Sequence, residues 1–314
     1  MYTIKHSNLI GIGGKWIMTM NNKAKKYIAR QQKLPSLHTL SPQEARKLRA
    51  VPRIAKPVSP LASIRDVRID VKDGQIVLRI YTPQVIGKLK AILYIHGGGW
   101  VINSIDTSDE SCRRLAEKTG RVVISVDYRL APEYAFPVPL EDCEAAFRWV
   151  VAHAQQLHIT PTHIAVAGDS AGANLATVLA NRFSDDIEAQ ILLYPVTDAT
   201  MSTKSYEIYA EKHGLDAVVM QWFIEQYVEE AERKNPLVSP LYAEVCHAPK
   251  AFIIVAENDV LKDEGILYAK KLEHVGTPVK LVEMEGLIHS YFTNNAIFAE
   301  EIDSTIAKIT AFLA

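Results

Sequence analysis

The sequence has few cysteines and almost no net charge. Its 314 residues include three cysteines and carry a formal net charge of -1. Cys112, Cys143 and Cys246 are far apart and lack the paired spacing of a zinc site, so we predict reduced structural thiols and no metal. Reduced thiols favour a cytoplasmic location. The balanced charge gives no basic footprint, so no nucleic-acid partner is expected.

Long apolar runs are also missing. No segment reaches the ~18 uninterrupted apolar residues of a membrane span, so no stable membrane insertion is expected. Lys15 and several glycines interrupt the apolar stretch from Leu9 to Met18, and no small-residue cleavage site is evident, which argues against a secretory signal. Residues 21–33 could form a basic amphipathic helix. Because its apolar stripe is narrow, we expect this helix to pack on the protein rather than on a membrane.

What the sequence does contain is a regular alternation of strand-like and helical segments. Ile64–Val71 and Ile76–Tyr81 alternate apolar and polar residues on either side of Asp73-Gly74, which is a hairpin signal. Apolar runs rich in β-branched residues then alternate with helical patterns as far as the C-terminus. This order predicts an α/β fold with a mostly parallel central sheet flanked by helices, and with the first two strands antiparallel at one edge.

Two segments interrupt the alternation. Prolines are frequent between Pro35 and Pro60, so regular structure there must be short. Roughly 40 residues separate Pro195 from Ser239, where a crossover usually needs a dozen or more. We therefore predict an N-terminal cap segment at 1–60 and a catalytic domain at 61–314, with a helical cap inserted at about 197–236.

One serine stands at a predicted strand-to-helix junction. Residues 168–172 read Gly-Asp-Ser-Ala-Gly, after the apolar run 163–167 and before a helical pattern. A Gly-x-Ser-x-Gly turn in this context strains the backbone of its central residue, requires small neighbours and projects the hydroxyl above the sheet. This pattern predicts that Ser170 is a nucleophile. The alternative is a serine that caps a helix in a tight turn, which would match the same sequence pattern.

A run of glycines follows the strand Ala91–Ile95. Residues 96–100 read His-Gly-Gly-Gly-Trp, and three glycines in a row allow backbone N–H groups to approach a ligand closely. Together with the N–H of Ala171, they could bind the oxyanion of a tetrahedral intermediate. A flexible loop or a phosphate cradle is the alternative, but the ending of a P-loop is missing.

A serine nucleophile needs a base and an acid. In the fold that carries a Gly-x-Ser-x-Gly strand-to-helix turn, they follow the serine in the order acid, then base. The loop after the strand Ala251–Ala256 supplies three candidate acids, and the loop after the strand that begins at Val279 supplies one histidine. We predict His289 as the base and Asp259 as the acid. Glu257, which is close to the strand end, and Asp263, which is readily explained as an N-cap of the next helix, are the alternatives.

Three collinear motifs carry a family resemblance. They are His-Gly-Gly-Gly at 96–99, Asp-Tyr-Arg-Leu-Ala-Pro-Glu at 127–133 and Gly-Asp-Ser-Ala-Gly at 168–172. With them, the chain from about Ile64 to Phe292 resembles the bacterial hormone-sensitive-lipase-like family of α/β hydrolases. The resemblance implies the α/β-hydrolase fold, a catalytic triad and an oxyanion hole. The implied triad is Ser170, Asp259 and His289, and the implied oxyanion hole is formed by Gly98, Gly99 and Ala171.

The resemblance also implies an activity. We expect a serine carboxylesterase that needs no cofactor and hydrolyses small-molecule esters with short acyl chains, with a homodimer formed around Val279–Val282 and Ile302–Phe312. Trp100, Trp222 and Phe223 are candidate pocket walls. A deacetylase or amidase acting on a specific metabolite uses the same machinery, and loss of a catalytic residue would leave a ligand receptor.

Some residues depart from the family pattern or have no catalytic explanation. Val260 stands where the family usually has proline, and Ala173 where it usually has a second glycine. Four charged residues lie in otherwise apolar stretches, and we predict that they form a structural ion network: Asp127, Arg129, Glu133 and Asp142.

Overall fold

In a computed structural model of the chain, residues 10–12, 15–17, 20–51 and 60–314 are described. The predicted N-terminal cap segment and the apolar stretch Leu9–Met18 therefore lie partly outside the described residues. Two short strands, β1 (Ile10–Ile12) and β2 (Lys15–Ile17), pair antiparallel. Of the helices that are described, none is long and apolar enough to cross a membrane.

A large twisted sheet organises the rest of the described chain. The strand order across the sheet is β10-β9-β8-β7-β5-β6-β4-β3, and all pairs are parallel except the two that involve β4. The predicted fold class is therefore confirmed, with the antiparallel hairpin at one edge. The strands are β3 (Leu61–Val71), β4 (Gly74–Pro83), β5 (Leu89–Ile95), β6 (Val122–Asp127), β7 (Ile159–Asp169), β8 (Ile187–Leu193), β9 (Lys250–Asn258) and β10 (Val279–Ile288).

Helices cover both faces of this sheet. Side chains of α4, α5 and α8 contribute to one buried apolar cluster, and those of α1, α3 and α9 to another. The described helices are α1 (Asn22–Gln31), α2 (Pro42–Arg49), α3 (Asp109–Thr119), α4 (Val138–Ala152), α5 (Ala171–Arg182), α6 (Ser205–Ile208), α7 (Ala217–Tyr227), α8 (Lys262–His274) and α9 (Asn295–Leu313).

The alternation of side chains along a strand explains the two clusters. On β5, Leu93 and Ile95 face the α4–α5–α8 side, whereas Ile92 and Tyr94 face the α1–α3–α9 side. Because both faces are covered, the central strands are apolar at nearly every position, as parallel strands usually are. Each aliphatic side chain fully buried in this way contributes about 1.5–3 kcal/mol to folding. The sheet therefore gives its loops a rigid base.

The predicted hairpin is confirmed, and the first turn of α2 is capped. Val71 pairs with Gly74 across the turn, and Asp73 adopts a positive φ of 59° that suits the tight turn. Ser41 forms a capping box with Glu44 at the start of α2.

Residues 20–51 pack against both faces of the sheet. Helix α1 packs on α9 and β10 through the buried Ala24 and Ile28, as expected for a helix that covers its own protein. Leu37 and Ala45 instead join the apolar cluster of the opposite face, and the 3-10 turn Leu37–Thr39 contacts α7. Since α6 and α7 lie within the predicted cap insertion, the segment after α1 and this insertion meet. The division into cap and catalytic domain stays a prediction.

The predicted ion network consists of separate contacts. Arg129 forms a bidentate ion pair with the fully buried Asp142, at 2.7 Å between Nη2 and Oδ1. Glu133 pairs with Arg46 of α2, whose guanidinium lowers the pKa of that carboxyl to about 2. The carboxylate of Asp127 accepts a hydrogen bond from the N–H of Ile105. The charged residues therefore hold loops together, as predicted, but not as one continuous network.

The cysteine prediction holds at two positions of three. Cys112 and Cys143 are buried free thiols, and burial raises the pKa of each. Cys246 is exposed, so its interpretation as a structural thiol was wrong. It lies between the short 3-10 helix Pro240–Tyr242 and β9, outside the apolar core. The predicted dimer surface stays a prediction, although β10 lies at an edge of the sheet.

Candidate active site

The backbone at Ser170 is strained. This residue joins β7 to α5 with φ of 56° and ψ of -121°, a conformation that costs a non-glycine residue of order 1–3 kcal/mol. Its N–H donates to the carbonyl of Leu193 at 2.9 Å, and its carbonyl accepts from Asn174 in the first turn of α5. These hydrogen bonds to the neighbouring strand and to the helix stabilise the strained backbone conformation of Ser170. The hydroxyl of Ser170 lies at the carboxyl end of the sheet.

The glycines on either side of this turn are required by close packing. A Cβ added to Gly172 would overlap the main-chain carbonyl groups of Ile95 and His96, and one added to Gly168 would lie 2.5 Å from the carbonyl carbon of Gly172. Contacts of this kind leave no room for any side chain. The small residues that the motif predicts therefore allow α5 to approach the end of β5 directly.

The hydroxyl of Ser170 and the imidazole of His289 are in hydrogen-bond contact. Nε2 of His289, which follows β10, lies 2.9 Å from Oγ of Ser170. The imidazole ring also packs on Tyr194, with 4.7 Å between ring centroids. A neutral imidazole that donates from Nδ1 would accept from the serine hydroxyl at Nε2. This is the geometry a general base needs before it removes a proton.

Asp259 is the carboxylate that contacts the imidazole. Its Oδ2 lies 2.7 Å from Nδ1 of His289, and Asp259 is only 1% exposed. Of the two alternatives, Glu257 accepts from the N–H of Gly286 instead, and Asp263 accepts from the N–H of Ser205. Asp263 is not the N-cap of α8, because the helix begins one residue earlier, at Lys262. The N-cap interpretation was therefore wrong.

The predicted oxyanion donors belong to the glycine loop and to the first residue of α5. Gly98 and Gly99 adopt positive φ values of 115° and 58°, which side chains rarely tolerate. Among the described residues, no acceptor is hydrogen-bonded to the N–H of Gly98, Gly99 or Ala171. The glycine loop thus leaves N–H donors available, which is the requirement for an oxyanion hole.

Known proteins with similar sequences identify the family of this chain. A model of the α/β-hydrolase fold matches residues 92–293. An ethyl acetate hydrolase from Pseudomonas putida is 35% identical over 292 residues, which cover 89% of this chain and 92% of that protein. The chain belongs to the α/β-hydrolase family. The resemblance to the hormone-sensitive-lipase-like carboxylesterases is thereby confirmed.

Two further relatives of this α/β hydrolase are esterases. Esterase LipI from Mycobacterium tuberculosis is 39% identical over 255 residues, 78% of this chain and 79% of that protein. The solved structure of a hyperthermophilic esterase from the archaeon Pyrobaculum calidifontis superimposes with a TM-score of 0.85 at 33% identity, covering 95% of this chain and 100% of that one. The similarity of this chain to these esterases thus extends well beyond the three sequence motifs.

Asp169 connects the serine turn of the hydrolase to its glycine loop, a role that the Gly-x-Ser-x-Gly pattern does not predict. Its Oδ1 accepts from the N–H of Gly97 at 3.0 Å and from the hydroxyl of Tyr94 at 2.8 Å. Burial raises the pKa of this carboxyl, while both hydrogen bonds favour its charged form. An acidic residue at the end of an apolar strand was the available signal, because such a residue needs a partner when buried.

His96 helps to shape the same loop. Its ring stacks on Tyr128 with 4.4 Å between centroids, and its Nδ1 lies 2.8 Å from the carbonyl oxygen of Gly97. Burial lowers the pKa of His96, so the neutral ring can donate to that carbonyl. The glycine loop is thus fixed from both sides, by Asp169 at the N–H and by His96 at the carbonyl of Gly97.

The three predicted pocket residues lie in different environments. Phe223 of α7 packs directly on Gly99, where an added Cβ would overlap the phenyl ring. Trp222, its neighbour, is half-buried with 5.2 Å between the two ring centroids. Trp100 is fully buried and stacks on Tyr227 at 4.3 Å, so in this structure it joins the glycine loop to α7. Their assignment as pocket walls stays a prediction.

The described residues include no group of three or more histidine, cysteine or acidic side chains that could hold a metal ion.

Gly172→Ala tests the close packing at the serine turn. The added methyl group overlaps two main-chain carbonyl groups, which cannot move without separating α5 from β5. We therefore expect the free energy of unfolding to fall by at least about 3 kcal/mol. Urea denaturation measures it. Gly74→Ala is the matched control, because a Cβ there meets only Arg129 at 3.5 Å, and its effect should stay within about 1 kcal/mol. Equal stability of both variants would contradict the packing argument.

Proposed function

We propose that this α/β hydrolase is a serine carboxylesterase in which Ser170, His289 and Asp259 form the catalytic triad. The observation that carries the proposal is the continuous hydrogen-bonded row from Ser170 Oγ to His289 Nε2 and from His289 Nδ1 to Asp259 Oδ2, at 2.9 and 2.7 Å. Esterase relatives that span most of the chain support the same reaction class. Gly98, Gly99 and Ala171 supply the proposed oxyanion hole.

The proposed reaction is acyl transfer in two steps. His289 takes the proton of the Ser170 hydroxyl while the oxygen attacks the ester carbonyl, and the backbone N–H groups stabilise the oxyanion of the tetrahedral intermediate. Asp259 stabilises the imidazolium that forms. His289 then gives its proton to the leaving alcohol, and the acyl group stays on Ser170. Water attacks this acyl-enzyme by the same route and releases the acid.

We further propose that the acyl chains are short. The ring of Phe223 lies against Gly99, so α7 limits the space next to the proposed oxyanion donors. Trp100 and Tyr227 fill the volume behind the glycine loop with two stacked rings. The relative from Pseudomonas putida is named for ethyl acetate, an ester with a two-carbon acyl group. The segments 1–60 and 197–236 would form the cap over this pocket.

Removing the nucleophile should abolish turnover. We expect Ser170→Ala to lower kcat for p-nitrophenyl acetate by at least ~10³-fold, because no other group replaces the attacking oxygen. Steady-state assays with a circular dichroism spectrum check activity and folding together. Ser304→Ala, on the exposed face of α9, is the matched control and should keep normal turnover. Near-normal activity of Ser170→Ala would refute the assignment.

The pH profile tests the proposed base. Only a neutral imidazole can accept the serine proton, so protonation of the base in acid solution prevents the reaction. We therefore expect kcat/KM to be low in mildly acid solution, to rise through neutrality and to level off in mildly alkaline solution. A profile that stays flat across this range, measured with an ester whose leaving group does not titrate, would count against His289.

Acyl-chain preference tests the role of Phe223. For the unmodified protein, we expect kcat/KM to be higher for acetate and butyrate esters than for laurate esters. The Phe223→Ala variant should raise the ratio of octanoate to acetate turnover by about tenfold, because space opens beside Gly99. Val218→Ala, an exposed position on the same helix, should leave this ratio unchanged. Faster turnover of long, emulsified esters by the unmodified protein would contradict the short-chain proposal.

A further inference from the structure

The loop that carries Asp259 is attached to the predicted cap insertion. We define the acid loop as residues 259–264, from the end of β9 into the first turn of α8. Val260 and Leu261 at its centre are fully buried. Two segments of the insertion contact this loop, one at Thr197 and Asp198 and the other at Ser205.

Ser205, the first residue of α6, makes three hydrogen bonds to the acid loop. Its hydroxyl donates to the carbonyl oxygen of Val260 at 2.5 Å and accepts from the N–H of Asp263 at 3.3 Å. Its own N–H donates to Oδ2 of Asp263 at 2.9 Å. Ser205 is completely buried, so water cannot replace these partners. One residue of the insertion therefore fixes the backbone of the loop on both sides of Leu261.

The bond to Val260 acts on the peptide group that holds Asp259. The carbonyl of Val260 and the N–H of Leu261 belong to the same planar peptide unit. That N–H donates to Oδ1 of Asp259 at 3.0 Å, while the other carboxylate oxygen contacts His289. Because the unit is rigid, a hydroxyl that orients its carbonyl also orients its N–H. Hydrogen bonds at both ends of a peptide group also strengthen each other.

A second anchor keeps the insertion in place independently of Ser205. Oε1 of the buried Glu264 accepts from the N–H of Thr197 at 2.7 Å and of Asp198 at 3.2 Å. The hydroxyl of Thr197 donates back to the carbonyl of Glu264 at 2.9 Å. Loss of the Ser205 hydroxyl alone would therefore leave the insertion attached to α8.

We propose that Ser205 is a positioning residue for the triad, because it orients the Val260–Leu261 peptide group that holds Asp259 against His289. This inference rests on the proposed function and deepens it, since it places part of the catalytic machinery in the insertion. The row of hydrogen bonds then runs from Ser205 through the peptide group, Asp259 and His289 to Ser170. Ser205 itself touches neither the substrate nor the reacting atoms.

Ser205→Ala gives the first measurement. We expect kcat to fall about tenfold with KM within about twofold of the unmodified value, because the hydroxyl loses both of its hydrogen bonds to a buried loop that does not bind substrate. The acid limb of the kcat/KM profile should move to lower pH, since a less well-held Asp259 stabilises the imidazolium less. Rates are counted per active site titrated with a fluorophosphonate, so that unfolded protein does not contribute.

Two further variants test whether the loss of activity is caused specifically by the missing Ser205 hydroxyl. Ser205→Cys nearly keeps the volume and weakens the donor, so it should show a smaller loss of the same kind. Ser202→Ala is the matched control, because its hydroxyl lies in the same segment but donates to Asp198 and not to the acid loop. It should leave kcat and the pH profile unchanged. A lower thermal stability of Ser205→Ala with unchanged kcat and an unchanged acid limb would overturn the proposal.

A double-mutant cycle decides whether Ser205 acts through Asp259. In an Asp259→Asn background, Ser205→Ala should lower kcat by less than about twofold, because the carboxylate it positions is already gone. A further tenfold loss in that background would show an independent effect and overturn the inference. If Asp259→Asn alone leaves turnover intact, the proposed acid itself is wrong. If Asp259→Asn removes activity and Ser205→Ala does not, this inference alone fails.

Discussion

The close approach of α5 to the end of β5 is the constraint on which the rest of the site depends. Gly172 lies against the main-chain carbonyl groups of Ile95 and His96, and this contact brings the serine turn next to the glycine loop. Asp169 then connects the two by accepting from the N–H of Gly97. A single side chain at Gly172 would separate these elements. The positions of the serine turn and of the glycine loop therefore depend on the same contact.

The remaining groups reach this point from the other half of the sheet. The loops after β9 and β10 carry Asp259 and His289, and the side chain of Asn258 donates to the carbonyl of Leu287 to hold the two strand ends together. Parallel strands end at the same edge, so groups far apart in sequence converge there without any special fold of the loops. The insertion between β8 and β9 adds Phe223 against Gly99 and Ser205 against the acid loop. It therefore contributes to the inferred positioning of Asp259 as well as to the proposed cap.

Sequence patterns predicted what depends on local chemistry. The alternation of apolar runs predicted the sheet, and the small residues around Ser170 predicted the strained turn, because only small residues fit there. The choice among Glu257, Asp259 and Asp263 was harder, since all three lie on one loop and only the path of the backbone separates them. Asp263 was assigned to a helix cap because the predicted start of α8 differed from the observed one. Helix boundaries are seldom fixed by sequence alone.

Other features depend on contacts between distant parts of the chain and leave no local pattern. Nothing around Ser205 distinguishes it from a surface serine, because its role depends on how the insertion folds back onto α8. The stacking of Trp100 on Tyr227 is another such contact, because Tyr227 is more than a hundred residues further along the chain. Asp169 did carry a signal, but its partner Tyr94 is identified only when β5 and β7 are known to be neighbours.

Covalent labelling with a fluorophosphonate, followed by peptide mass spectrometry, tests the central claim most directly. The account predicts one phosphonyl group per chain, attached to Ser170, with labelling strongly slowed in a His289→Ala variant because the hydroxyl is no longer activated. An unlabelled Ser170 in the folded protein, or a label on another serine at the same rate, would contradict it.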